Sequence, residues 1–356
     1  MAVVAFAPDR SSARGMRVGT VGTILQGIGI VVGGLIVLAA LVLAIGPFMI
    51  STQPADGVQD GRELGGDQSR FITVPFPGFP DGLQLHYVTA GEEHADSDKP
   101  AWLLLHGFSF STVTWEPLLP SLGSDRYTVA YDQIPYGLSD KPDYRGEGPN
   151  PFTLEADVAH LFSLMDELGQ EQAVLVGNSA GGVIALEAAR QAPERVAGLV
   201  LINPMAALER PTLPKWLAQL PQAKRLSLLG GRWLGRSTEL LERSYYDTDA
   251  ITPEREARFS LHTAMAGWDR AWGQLMHRSL TDALQVRGPL EGVETPTQVI
   301  ISVEDEVIPA ADSHRVADAL PNAERVELQA CGHLPQEECP AETAAAIEQW
   351  RERHDL

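Results

Sequence analysis

An apolar run at Val174-Leu-Val-Gly-Asn-Ser-Ala-Gly-Gly182 ends in a serine flanked by glycines, and a helical pattern follows at once. Few architectures accommodate that string. A serine on a sharp strand-to-helix turn is held clear of its own backbone with its Oγ exposed. Gly177 and Gly181 admit such a turn because side chains there would collide. The start of the helix also aims backbone N–H groups and a partial positive charge at any oxyanion forming beside Ser179. The motif is short and glycine is frequent (33 of 356 residues), so its weight depends on its surroundings.

Those surroundings alternate. Strand-like runs fall at Phe71–Phe76 and Leu83–Val88, around a turn Pro77-Gly-Phe-Pro-Asp-Gly82, then at Ala101–Leu105, Tyr127–Tyr131, Ala173–Val176, Leu199–Ile202 and Gln298–Ser302. Helical patterns separate most of them, at Leu154–Leu168, Gly182–Gln191, Ala311–Leu320 and Ala341–Arg353. Apolar strands alternating with amphipathic helices predict an α/β fold, a mostly parallel sheet with helices on both faces. Sites in such sheets lie at the carboxyl ends of strands, where Ser179 falls. From 205 to 290 the alternation gives way to helix-like sequence rich in Trp, Arg and Leu (Trp216, Trp233, Trp268, Trp272). This reads as a helical cap that excludes water and shapes a pocket. The core is then 71–204 together with 291–356.

The N-terminus sets the compartment. Residues 18–50 are almost wholly apolar or Gly, which exceeds the ~20 residues needed to cross a bilayer and the 7–15 of a signal-peptide core. Arg10, Arg14 and Arg17 precede this stretch, whereas Asp56, Asp60, Glu63 and Asp67 follow it. The expectation is a cytoplasmic tail (1–17), an uncleaved transmembrane signal anchor (18–50) and an extracytoplasmic remainder, in a single-pass cell-membrane protein. A cleaved signal peptide is the alternative. Residues 51–70 are polar and Gly-rich and read as a flexible linker. Gly29 and Gly33 form a G-x-x-x-G that would suit weak helix dimerisation, although Gly is common in membrane helices generally.

The formal charge of −20 excludes a nucleic-acid footprint and gives no reason to expect broad contact with anionic headgroups. No P-loop, H-E-x-x-H or C-x-x-C is present, so neither metal nor cofactor is expected. A nucleophilic serine needs a base within reach and an acid to orient that base. His333 follows the strand-like Arg325-Val-Glu-Leu328, and Asp305 follows Gln298–Ser302, with Glu304 and Glu306 as neighbouring alternatives for the acid. The order Ser…Asp…His, each at a strand's carboxyl end, is the α/β-hydrolase arrangement.

The resemblance extends further. Leu103-Leu-Leu-His-Gly-Phe108, Asp132-Gln-Ile-Pro-Tyr-Gly-Leu-Ser-Asp-Lys-Pro142, the Ser179 elbow, Asp305-Glu-Val-Ile-Pro309 and Gly332-His-Leu-Pro-Gln-Glu-Glu-Cys-Pro340 resemble, in order, the motifs of the α/β-hydrolase superfamily. The likeness is to its capped, serine-nucleophile esterase and epoxide-hydrolase-like branch, from about Phe71 to Leu356. Pro135 and Ser302 depart from the glycines usual there. The resemblance implies that Ser179 attacks a carbonyl, His333 carries the proton and Asp305 orients His333. It also implies that the backbone N–H groups of Phe108 and Ala180 hold the oxyanion. Trp115 and Tyr136 are candidate pocket walls, with core packing as the alternative, while His262 and His277 read as surface residues of the cap. Cys331 and Cys339 lie in an oxidising compartment on this topology, which permits a disulfide bracketing His333. The expected activity is that of a membrane-anchored carboxylesterase cleaving a small or medium acyl ester. Carbon–carbon bond hydrolysis of the meta-cleavage-product type, cofactor-free perhydrolysis and a catalytically silent binding module are the alternatives.

Overall fold

The computed structural model describes residues 12–207 and 211–356, in two units, 1–52 and 53–356. Most of the expected cytoplasmic tail, Arg10 included, lies outside the described residues. The first unit is one helix, α1 (Ser12–Ile45), which gives way to a 3-10 turn (Gly46–Met49) at Pro47, a residue that cannot continue it. Within this unit Leu25–Met49 is an uncharged stretch of 25 residues, long and apolar enough to cross a membrane.

The second unit is built on an eight-stranded sheet: β1 (Arg70–Phe76), β2 (Phe79–Ala90), β3 (Ala101–Leu105), β4 (Thr128–Tyr131), β5 (Ala173–Asn178), β6 (Val196–Ile202), β7 (Thr297–Ser302) and β8 (Ala323–Leu328). The spatial order is β1-β2-β4-β3-β5-β6-β7-β8. β2 runs antiparallel to β1 and β4, and every other pairing is parallel. Every residue of β3 and β5 is buried, as a parallel strand covered on both faces requires. Side-chain alternation assigns the faces. Leu103, Leu105 and Leu175 pack with residues of α2 (Leu154–Glu167) and α3 (Ala180–Gln191), whereas Trp102, Leu104, Val174 and Val176 pack with Ile347 and Trp350.

Two expectations need correction. The turn predicted over 77–82 is only Pro77-Gly78, because Phe79 already pairs with Phe76, and Gly78 takes a φ of +90° that favours glycine. The flexible linker predicted over 51–70 is tied down from Gln53 onward. Ala55 N–H donates to Asp269 (3.1 Å), Trp268 Nε1 donates to the Asp56 carbonyl (3.1 Å), and Asp60 caps the helical turn Gly61–Leu64 through a reciprocal bond with Glu63.

Between β6 and β7 the described chain is helical. Its longest elements, α4 (Pro221–Arg236) and α5 (Trp268–Ser279), approach so closely that a Cβ on Gly231 would come 2.6 Å from the Gly273 nitrogen.

Candidate active site

Ser179 joins β5 to α3 with φ +53° and ψ −113°, a conformation that L-residues adopt only when their surroundings enforce it. The enforcement is visible. Ser179 N–H donates to the Ile202 carbonyl (2.9 Å), and the Ser179 carbonyl accepts from Gly182 (3.1 Å) and Met205 (3.1 Å). A Cβ on Gly177 would meet the Gly181 backbone at 2.6 Å, and one on Gly181 would meet the Leu105 carbonyl at 2.1 Å. The glycine spacing is thus required by the closeness of β3, β5 and α3.

His333 and Asp305 come together from different strand ends. His333 Nδ1 donates to Asp305 Oδ2 at 2.6 Å, and both side chains are buried. Asp305 Oδ1 accepts from the N–H groups of Val307 (2.7 Å) and Ile308 (2.9 Å), so the carboxylate is fixed at both oxygens. Glu304 instead accepts from Ala330 N–H (2.8 Å). Two asparagines that sequence reasoning passed over hold the His333 loop against the elbow. Asn178 and Asn203 both donate to the His333 carbonyl, at 3.1 and 3.2 Å. Ser302, one of the two departures from the family pattern, accepts from Asn203 Nδ2 at 3.0 Å and donates its backbone N–H to Asn203 Oδ1 at 2.8 Å. Cys331 and Cys339 form a disulfide that brackets His333.

On the other side of Ser179 lies the loop His106-Gly107-Phe108. A Cβ on Gly107 would stand 3.2 Å from the Ser179 Cβ, a tight approach that a glycine avoids. His106 Nδ1 donates to the Gly107 carbonyl (2.7 Å), its Nε2 accepts from Gln133 N–H (3.2 Å), and Gln133 Nε2 donates to the His106 carbonyl (2.8 Å). Burial lowers the His106 pKa to about 4, against the pull of Asp132, which keeps the ring neutral as its acceptor role demands.

Ser179, Ala180, Phe108, Tyr136 and His333 all line one cavity of about 230 Å³, with Ile184, Met205, Leu240, Leu275 and Ile308 among its apolar walls. Trp115 does not line it. That ring is wholly buried in the core on the opposite face of the sheet, with Trp102 and Leu118, so the pocket-wall expectation is corrected to core packing. His262 is likewise no surface residue. It is buried, its ring stacks on Trp272 at 4.8 Å, and burial lowers its pKa to about 3. His277 is half-buried. Phe108, Tyr136 and Trp272 make edge-on contacts at 5.6–6.1 Å, which tie the loop beside Ser179 to α5.

The same cavity holds two ionisable groups that the sequence did not signal, Asp157 from α2 and Arg278 from α5. Burial pushes the Asp157 carboxyl up to about 8, even though Arg278 favours its ionised form. A second Ser–His–Asp chain, also unforeseen, lies at a separate cavity: His86 contacts Asp132 at 2.7 Å and Ser69 at 2.9 Å. Ser69 precedes a strand rather than a helix, and Asp132 also accepts from the N–H groups of Thr112 (2.6 Å) and Leu138 (2.7 Å), as a loop-organising carboxylate would.

A mostly parallel sheet, with a serine at a strained strand-to-helix elbow that lines one cavity with a carboxylate-bound histidine, is the arrangement of a hydrolase of the α/β class. The chain belongs to the alpha/beta hydrolase family, whose pattern matches residues 102–346. It is 27% identical over 256 residues to a putative carbamate hydrolase, RutD, of Stutzerimonas stutzeri, covering 70% of this chain and 89% of that one. Its fold is similar to that of a meta-cleavage product hydrolase (CumD, from Pseudomonas fluorescens IP01), with TM-score 0.61 and 23% identity, covering 80% of this chain and 98% of that one. It is also similar to a membrane phospholipase A, a bacterial virulence factor, with TM-score 0.60 and 20% identity, over 94% of this chain and 99% of that one.

Proposed function

We propose that this hydrolase is a membrane-anchored serine carboxylesterase cleaving small or medium acyl esters through an acyl-Ser179 intermediate. The observation that carries the reading is the shared cavity: Ser179 at its elbow and His333, held at Nδ1 by Asp305, line one small, largely apolar space. Ser179 Oγ attacks the ester carbonyl while His333 Nε2 takes its proton, and the imidazolium then protonates the leaving alcohol. Water repeats the sequence in reverse to release the acid. Asp305 fixes the tautomer that leaves Nε2 free to accept. The backbone N–H groups of Ala180 and Phe108 receive the oxyanion, a role worth about 3–4 kcal/mol per donor. A serine here suits acyl transfer, whereas the epoxide-hydrolase chemistry of aspartate-bearing relatives needs a carboxylate nucleophile. Leu25–Met49 is the anchor, and the catalytic unit faces away from the cytoplasm.

Carbon–carbon bond hydrolysis is the second reading, supported by the likeness to CumD, and the carbamate hydrolase relative adds carbamates to the bonds worth assaying. The test compares the full chain in detergent micelles with Ser179→Ala, using a fluorophosphonate probe and p-nitrophenyl esters from C2 to C16. Labelling and turnover lost together in the variant uphold the esterase. Labelling without ester turnover favours the carbon–carbon reading, and a folded wild type that resists the probe overturns the serine hydrolase in favour of a silent binding module.

A further inference from the structure

Helix α4 carries large apolar side chains on its outward face as well as its inward one. The residues that it buries are Ser227, Gly231 and Gly235. Leu228 and Leu234 are half-buried, Leu234 against the core, but Leu226, Leu229 and Trp233 are exposed at the i, i+3, i+7 spacing of one helical face. Leu213, Trp216 and Leu220 in the preceding segment are exposed too, and Trp216 and Trp233 are 66% and 59% exposed. Large apolar side chains exposed in such number within one short segment mark an interaction site.

Charge identifies the partner. The chain carries −20 overall, yet Pro211–Arg236 contains Lys215, Lys224, Arg225, Arg232 and Arg236 and no acidic residue. Arg232 is paired with Asp269 and Arg236 lies over the Trp268 ring, whereas Lys215 and Lys224 are exposed in the same segment. Exposed Trp and Leu flanked by basic residues, with no acid to repel anionic headgroups, are the signature of a helix lying in a membrane interface.

We propose that Leu213–Trp233 is an interfacial docking surface that seats on an anionic bilayer, so that the substrate reaches Ser179 from the membrane as an amphipathic lipid ester. The proposal rests on the reading of Leu25–Met49 as an anchor. It also accounts for the position of these residues, because Pro211 and Leu240, just before and after this segment, both line the Ser179 cavity.

Tryptophan fluorescence tests it directly. Of the seven tryptophans, Trp102, Trp115, Trp268, Trp272 and Trp350 are fully buried, so quenching by lipid-borne bromine reports on Trp216 and Trp233. The full chain is placed, one copy per disc, in nanodiscs of phosphatidylglycerol with or without brominated acyl chains, and in matching phosphatidylcholine discs. The expected result is quenching in the brominated anionic discs that weakens at least twofold in phosphatidylcholine. It also weakens in Lys215→Glu/Lys224→Glu and vanishes in Trp216→Phe/Trp233→Phe. A chain that co-elutes with the discs but shows no quenching overturns the docking and leaves the anchor intact. A chain that fails to enter the discs overturns both. If emission shifts only when two copies share a disc, and bromine has no effect, the segment binds a second copy and the proposal falls.

Discussion

Asp305 uses its two oxygens differently, one toward His333 and one toward two backbone N–H groups. Asp305→Asn would keep the shape but could present an amide N–H to Nδ1, favouring the tautomer in which Nε2 cannot accept a proton. We expect kcat to fall by about 10⁴ with little change in KM. Glu304→Gln, which removes a charge but keeps an oxygen to accept from Ala330 N–H, should alter kcat less than threefold, and ester kinetics on the two variants decide between these acids. Ser69→Ala should leave probe labelling intact where Ser179→Ala removes it, because Ser69 lacks an elbow and a following helix. Asp157 gives a pH signature. Its folded pKa of about 8 stands above the ordinary carboxylate value of 3.8, so the folded state binds the proton more tightly. Stability from this group is therefore full below about pH 4 and is lost as pH rises toward 8, by up to roughly 1 kcal/mol per unit. Asp157→Asn should match the wild type in thermal melts at pH 5 and exceed it at pH 8; parallel melts across that range would contradict the assignment. The proposed triad was legible because residue type, chain order and strand ends are local signals. Asn178, Asn203 and Gln133 were not, since their bonds join segments remote in sequence, and Trp115 is a bulky aromatic that sequence alone places equally well in a wall or a core.

At the scale of elements, the elbow is a demanding packing problem. Gly181→Ala would drive a Cβ to within 2.1 Å of the Leu105 carbonyl, which is backbone and cannot swing aside. Overpacking of this kind costs typically 1–3 kcal/mol and would also displace Ser179, so we expect a lower melting temperature together with at least tenfold weaker probe labelling. A variant with normal stability and labelling would show that β3 and α3 are not so tightly apposed. The sheet was readable because its strands are continuous apolar runs between helical repeats. The cap was readable as helical but not in its facing. A pattern search assumes that Leu and Trp point inward, and in α4 Leu226, Leu229 and Trp233 are exposed while Ser227, Gly231 and Gly235 are buried. The segment before β1 was misread for a related reason: its polar residues look like linker, yet Asp60 caps a helical turn through its side chain and the Asp56 main-chain carbonyl accepts from Trp268.

For the whole molecule, the division at residue 52 separates two physical tasks. Unit 53–356 holds the entire sheet, the cavity and all the groups assigned to chemistry, and its first residue is already engaged, the Gln53 carbonyl accepting from Arg232. The described residues that line the cavity run from His106 to His333. Removing residues 1–52 should therefore yield a protein whose kcat/KM on a water-soluble short ester stays within about twofold of the full chain. With an ester dispersed in a bilayer the outcome should differ. Tethering converts encounter with the surface into an intramolecular event at an effective concentration that can reach millimolar, and avidity gains of about 10²–10⁴ follow without any new contact. A shortened chain at nanomolar concentration should then turn over vesicle-borne ester at least tenfold more slowly. The ratio of the two assays separates anchoring from chemistry: a matched fall in both would mean that the N-terminal helix supports the catalytic unit's structure. Unchanged turnover in both would mean that the cap surface alone suffices to hold the enzyme on the membrane.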